Sequence, residues 1–408
     1  MKHRVGWMLA AVCLILGHEP APGQSSPAAD SLLARARRLA AAYIIVDTHI
    51  DAPMGLYRGN VDLSVRNARG QFDYVRAREG GLDVPFMSIY IPSTLEGTPE
   101  AGTMADSLIG LVAGLAAHHP DKFAVVRSTA EVREQQSAGK VLLAMGMENG
   151  APINGSLDRV RRYHSLGIRY ITLAHAKNNH ISDASYDRER RWNGLSPFGR
   201  TLVDEMNRVG IMIDVSHVSD SAFFQVLGRS RVPVIASHSA CRRFTPGFER
   251  NMSDEMIRAL ALNGGVIQIN FGSEFLDDSI RQESDRRSKE IDDHLRSHHL
   301  SPGDKKAREY RKEYARNHPR RFATVQTVAD HIDNVVTLAG VDHVGLGSDF
   351  DGVGDTLPVG LKDTSQYPNL IAELLRRGYT EDSIRKICGE NLLRVWKAVE
   401  DYATKAQQ

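Results

Sequence analysis

The sequence predicts a (β/α)8 TIM barrel of the α/β class, and three observations predict it. Eight short apolar runs recur along the chain. They are continuous rather than alternating, which suits strands buried on both faces of a parallel sheet. Helix-like stretches with start and stop signals lie between them, and strand–helix alternation repeated in this way closes into a barrel.

The predicted strands are residues 43–46, 84–91, 141–147, 169–173, 211–215, 232–236, 265–270 and 343–346. Among the helix signals, Ser196-Pro197 sets a capping hydroxyl ahead of a proline at the first helical position, and Ser253-Asp254-Glu255 puts acids in a first turn. Gly167, Gly210 and Gly378 follow helical stretches, where a left-handed cap is expected. One interval breaks the rhythm: about residues 275–322 are dense in charge, with Asp277-Asp278, Arg286-Arg287, Lys305-Lys306 and Arg320-Arg321. Acids and bases interleave there, so a solvated helical excursion before the last strand is expected rather than a nucleic-acid arm. His298-His299 within it make no metal pair, because adjacent helical residues do not share a face. No repeat or low-complexity linker divides the chain, and residues 24–408 are expected to form one domain.

Composition narrows the function. Of 408 residues, 42% are hydrophobic and 25% charged, which is ordinary for a globular protein and too apolar for a disordered one. Lys+Arg 51 against Asp+Glu 50 leaves a net charge of +1, so nucleic acid is not an expected partner. Three cysteines without a CxxC pair exclude a disulfide scaffold and a thiolate metal site. Residues 1–23 have the form of a signal peptide: Lys2 and Arg4, an apolar run over 7–16, then Ala21-Pro22-Gly23 before cleavage expected near Gln24. That run is too short to span a bilayer, and residues 401–408 offer no hydrophobic anchor. An exported protein, periplasmic or secreted, with no stable membrane span is expected. Cys241 and Cys388 would remain after cleavage, and their pairing is open at this level.

The ends of the predicted strands carry the chemistry. The first runs into Val46-Asp47-Thr48-His49-Ile50-Asp51, where alternation sends His49 and Asp51 to one side. An imidazole and a carboxylate so placed suit zinc. The third strand ends at Glu148, a carboxylate that needs a partner after a buried run. The fourth, fifth and sixth end at His175, His217 and His238, and the eighth at Asp349. Six of the eight strands therefore deliver His, Asp or Glu to the C-terminal rim, where barrel enzymes collect their catalytic groups. A metal hydrolase is expected. His49, Asp51, Glu148, His217 and His238 are N/O donors for a metal pair, and Glu148 has two oxygens with which to bridge it. Two ions roughly 3.5–4 Å apart hold a hydroxide between them and polarise a carbonyl. Asp349 remains to act as general base and then acid, and His175 to donate to the developing oxyanion. Neither a serine nucleophile elbow nor a phosphate-binding glycine loop is present.

With these residues in place the sequence resembles the membrane (renal-type) dipeptidase family, and a bacterial member of it. The matching stretches, in the family's order, are Val46-Asp47-Thr48-His49-Ile50-Asp51, Gly146-Met147-Glu148-Asn149-Gly150, Arg169-Tyr170-Ile171-Thr172-Leu173-Ala174-His175, Asp214-Val215-Ser216-His217, Ser237-His238-Ser239 and Gly345-Leu346-Gly347-Ser348-Asp349-Phe350-Asp351-Gly352. The resemblance implies an amidohydrolase-like barrel with two Zn2+ ions per chain, acting on small dipeptides and often accepting a C-terminal D-residue. His49 and Asp51 would hold one zinc, His217 and His238 the other, and Glu148 both. His175 matches the substrate-polarising histidine, and Asp349 the acid/base and amino-group contact. The family also holds the substrate carboxylate with an arginine after the sixth strand. Arg250 in Phe248-Glu249-Arg250-Asn251-Met252 is the match, with Arg242 and Arg243 competing. Family members are often homodimers, so a homodimer is an open expectation.

Other readings differ in identifiable residues. Deaminase- or phosphotriesterase-like relatives commonly carry HxH on the first strand or a bridging lysine on the fourth, whereas this chain has His49-Ile50-Asp51 and His175. Another small amide, such as a β-lactam, is an alternative substrate. A zinc-dependent binding or structural protein would close its metals off with protein ligands, whereas five ligands across two ions leave positions open. A catalytically inactive zinc-binding relative is a further alternative that the same residues admit.

Overall fold

The structure is a computed structural model and describes residues 27–59, 61–406 and 408. The signal peptide expected over residues 1–23 lies outside the described residues. Among the described residues there are nine strands: β1 Ile45–Ile50, β2 Leu82–Tyr90, β3 Phe123–Val125, β4 Val141–Glu148, β5 Ile168–Thr172, β6 Met212–Asp214, β7 Ile235–Ser239, β8 Val266–Ile269 and β9 Val344–Leu346. All pair in parallel, and β9 on β1 together with β2 on β4 closes eight of them into the barrel that the sequence predicts. β3 stands outside the ring and pairs with the start of β4, Phe123 opposite Val141. The sequence reading has no counterpart for β3, because three residues carry too little periodic signal.

Two strands extend further into polar sequence than expected. β1 runs through Asp47-Thr48-His49 to Ile50, and β7 covers Ile235–Ser239 rather than residues 232–236. Buried polar residues stay in a strand when their hydrogen bonds are met. Asp47 is fully buried and accepts from His49 N and Ser348 N, both at 3.0 Å, and from the Tyr367 hydroxyl. Asp214 does the same for β7, accepting from Ser237 N at 2.8 Å and Ser237 Oγ at 2.6 Å. Pro233, lacking an N–H, lies before β7 rather than inside it.

The expected caps form. Ser196 accepts from Gly199 N to start helix Pro197–Val209, and Ser253 accepts from Met256 N to start helix Asp254–Leu262. Gly167, Gly210 and Gly378 are left-handed, with φ of 110°, 92° and 85°. Between β8 and β9 lie helices Ser273–Leu276, Asp278–Ser297 and Lys305–Asn317, followed by the barrel helix Val325–Ala339. In Asp278–Ser297 only Leu295 is buried, so this helix is largely solvated. Helix Pro99–His118 is long and apolar enough to cross a bilayer, yet Ala105, Leu108 and Val112 along it are buried in the core of the fold.

The barrel is filled from below. Phe86, Tyr170 and Trp396 share a cluster with Val46, Leu142 and Met212, and the Trp396 ring, from helix Asn391–Ala406, meets Phe86 at 5.3 Å. A side chain at Gly146 would collide with the Tyr170 ring, so glycine in β4 is what lets tyrosine occupy the interior. With one end plugged, the open end is the one where the strands terminate.

Candidate active site

Each rim residue is delivered by a strand end. His49 is in β1, and Asp51 caps the helix Ala52–Tyr57 directly after it. Asp51 has φ −88° and ψ 15°, so it reaches the site from a helix start and not from the extended strand that the alternation argument assumed. Glu148 ends β4 and His238 lies inside β7, while His175, His217 and Asp349 follow β5, β6 and β9 by three residues each. They converge on a pocket of about 410 Å³ lined by Asp51, Glu148, His175, His217, His238 and Asp349. His49 is fully buried beneath it. His217 and Asp349 adopt left-handed backbone, φ 69° and 63°, which costs of order 1–3 kcal/mol each and is typical of functional rims.

Glu148 is the centre of this arrangement. Its Oε2 lies 3.4 Å from His49 Nε2, which is itself 3.4 Å from Asp51 Oδ2. Its Oε1 lies 3.2 Å from His217 Nε2 and 3.4 Å from both His238 Nε2 and His175 Nε2. Three groups have ligand atoms within 4.8 Å of one another: His49, Glu148 and His238; Glu148, His175 and His217; and His49, Asp51 and Asp349. All seven predicted rim residues are therefore brought together. Asp349 and His175 lie as close to the others as the expected ligands do.

Outer hydrogen bonds turn two of the imidazoles, His238 and His49, inward. His238 Nδ1 is 2.8 Å from Ser237 Oγ, whose proton goes to Asp214, so the ring donates through Nδ1 and presents Nε2 as a lone pair. Tyr170 does the same for His49. His49 Nε2 is buried without a hydrogen-bond partner, and His217 Nε2 faces His238 Nε2 at 2.8 Å. Unprotonated nitrogens facing one another and a carboxylate fit a bound cation. Burial opposes ionisation of Glu148, but His49, His175, His217 and His238 outweigh it and hold its carboxyl well below the usual range. Burial, with Asp51 and Glu148 nearby, pushes the Asp349 carboxyl well up.

Arg250 is buried at the same rim. It donates to His238 O at 2.6 Å and Ser239 Oγ at 2.9 Å, its Nη2 also lies 3.0 Å from His217 Nε2, and its Nε has no partner. Of its two competitors, Arg242 is held by both oxygens of Asp220, and Arg243 is exposed. Cys241 and Cys388 are buried free thiols. Sequence reasoning missed Tyr170, Ser237, Asp214 and Gly352. All four lie within the quoted motifs, but no spacing rule reveals what they hold or what space they leave. A side chain at Gly352 would collide with Asp349 Oδ1 and Asp51 Oδ2.

A closed parallel barrel that gathers four histidines and three acids at its C-terminal end defines a metal-dependent hydrolase. The chain belongs to the membrane dipeptidase family, peptidase family M19, whose model matches residues 33–408, and is a metallo-dipeptidase. It is 33% identical over 393 residues to dipeptidase verJ of Clonostachys rogersoniana, covering 93% of this chain and 90% of that one. The crystal structure of the probable dipeptidase PvdM from Pseudomonas aeruginosa superposes with a TM-score of 0.77 at 27% identity, covering 92% and 100% of the two chains. A metallo peptidase from Rhodobacter sphaeroides, liganded with a phosphinate mimic of the dipeptide L-Ala-D-Ala, gives 0.72 at 26% identity, covering 88% and 99%.

Proposed function

We propose that the protein is a binuclear zinc dipeptidase that hydrolyses free dipeptides, including those with a C-terminal D-residue. The observation that carries this reading is Glu148, whose Oε2 faces His49 at 3.4 Å while its Oε1 faces His217 and His238 at 3.2 and 3.4 Å. His49 and Asp51 would hold one zinc, His217 and His238 the other, and Glu148 would be shared by both. A donor set of nitrogen and oxygen without thiolate suits zinc in a catalytic site. Bound zinc acidifies water toward neutral pH and acts as a Lewis acid on the amide carbonyl.

The chain's own groups do the rest. Asn270 Nδ2 holds Asp349 Oδ2 at 2.8 Å, which orients the carboxylate and leaves the other oxygen to take a proton from attacking water and return it to the leaving amine. His175 donates to the developing oxyanion. Arg250 binds the substrate carboxylate, and its unpartnered Nε supports that role. Acceptance of a D-residue is supported by the L-Ala-D-Ala mimic bound in the Rhodobacter relative.

Elemental analysis of the purified protein should return two zinc ions per chain. Free L-Ala-L-Ala and L-Ala-D-Ala should be cleaved well, and the tripeptide and the C-terminal amide poorly, since either leaves Arg250 without its carboxylate at a loss of order 2–5 kcal/mol. Equal kcat/KM across all four would refute the dipeptidase reading. Full activity with one metal would refute the binuclear one. Export from a bacterial cell is part of the reading, supported by the leader pattern in residues 1–23; N-terminal sequencing of the protein recovered outside the cytoplasm tests it. A homodimer, common in the family, is tested by sedimentation equilibrium.

A further inference from the structure

We propose that a recess beside the reaction pocket receives the side chain of the substrate's N-terminal residue, and that Arg58 and Arg69 make it selective for an acidic one. This rests on the dipeptidase reading and names its substrate class. The helix Ala52–Tyr57 starts at Asp51 and ends at Arg58. Residues three, four and seven apart share a helical face. Asp51, Met54, Gly55 and Arg58 therefore form one stripe. Asp51, Met54 and Arg58 line the reaction pocket, and the same three line a second cavity of about 170 Å³. Asp351 is common to both walls.

The opposite wall includes Leu63 and Arg69, on a segment clamped to the catalytic strand end. Asp351 Oδ1 accepts from Gln71 N at 2.7 Å and Oδ2 from Phe72 N at 3.2 Å, and Asp351 N donates back to Gln71 Oε1 at 2.6 Å. Arg69 is thus attached two residues from a fixed anchor. The Asp351 carboxylate is occupied by these backbone donors, and Asp51 faces His49. Among the described residues neither Arg58 nor Arg69 has an acid at ion-pair distance, whereas neighbouring Arg66 pairs with Glu79, and Arg76 with Asp73 and Asp363. Two guanidinium groups without counter-ions therefore border a cavity next to the reacting centre.

The ring order sets which part of the substrate meets them. β1 lies between β9 and β2, while β7, which leads to Arg250, is three strands away around the ring, beyond β9 and β8. With the carboxylate at Arg250 and the ammonium at Asp349, the first side chain is directed toward the β9–β1 quarter. There Met54 and Leu63 offer apolar surface for methylenes and the two arginines offer charge for a carboxylate. Glutamyl or aspartyl dipeptides fit that chemistry.

The test is steady-state kinetics of the zinc-loaded enzyme on L-Glu-L-Ala, L-Gln-L-Ala and L-Lys-L-Ala, with R58E and R69Q alongside. The native enzyme should favour Glu over Gln in kcat/KM by about five- to tenfold at low salt, as exposed ion pairs allow, and less at high salt. R69Q should reduce the preference and R58E should turn it toward Lys, a readout that mere loosening of the fold would not reverse. Equal cleavage of the Glu and Gln substrates, or an intact Glu preference in R58E, would overturn the recess assignment while leaving the dipeptidase reading in place. No cleavage of any of the three would end both.

Discussion

The Tyr170 hydroxyl lies 2.9 Å from His49 Nδ1 and 2.9 Å from the Thr48 carbonyl. A carbonyl only accepts, so the hydroxyl donates to Thr48 and must accept from His49, which fixes the proton on Nδ1 and bares Nε2 toward Asp51 and Glu148. Tyr170→Phe preserves the ring that fills the barrel and removes the hydroxyl with its two bonds, to His49 Nδ1 and to the Thr48 carbonyl. Zinc affinity is expected to fall by about 10–100-fold, read by competition with a chelator. An unchanged affinity would mean that packing alone orients His49.

Glu148→Gln should release metal from both sides of the site. Its carboxylate faces donors through both oxygens, so a neutral amide weakens two sets of contacts, whereas Asp51→Asn weakens one. The expected result is less bound zinc per chain in E148Q than in D51N by elemental analysis after dialysis.

Asp349→Asn should retain zinc and lose about 10²–10⁴-fold in kcat, the usual contribution of a general acid–base group. Asp349 lies within 4.8 Å of His49 and Asp51, close enough to be a ligand. If metal content falls in step with activity, it is one, and the proton-transfer role fails.

Acid should destabilise the fold through His331. Its Nδ1 accepts from Cys241 N at 3.0 Å, its Nε2 lies 3.0 Å from Leu276 O, and burial pushes its pKa down to about 4 from the model-peptide 6.5. Between those two values the unfolded chain binds a proton that the folded chain does not, so stability falls as pH falls. From pH 7 to pH 5 the loss is of order 2 kcal/mol. His331→Gln supplies an acceptor and a donor without titrating, and its urea-unfolding free energy should fall less over the same interval. Identical pH slopes for the two proteins would remove His331 as the cause.

The barrel was legible because apolar continuity is a local property. Each buried strand must be hydrophobic wherever its neighbours lie, and Ser196, Ser253 and Gly210 mark helix ends by bonds that span a few residues. The limits of β1 and β7 were less legible. Asp47 and Asp214 make polar strand ends tolerable through partners as distant as Tyr367 and Ser237, and no window along the chain contains them.

By itself the sequence determined the eight-strand rhythm, the helical excursion and the seven rim residues, since strand direction alone carries them to one end. Only the tertiary structure decided that Glu148 faces donors through both oxygens, that Tyr170 and Asp214 set the protons of His49 and His238, and that Arg250 is buried at the rim while Arg242 is bound to Asp220. Strand order and periodicity fix which end of a barrel a residue reaches. Which atom faces which is settled by side-chain packing across strands far apart in the chain, as where Gly146 makes room for the Tyr170 ring.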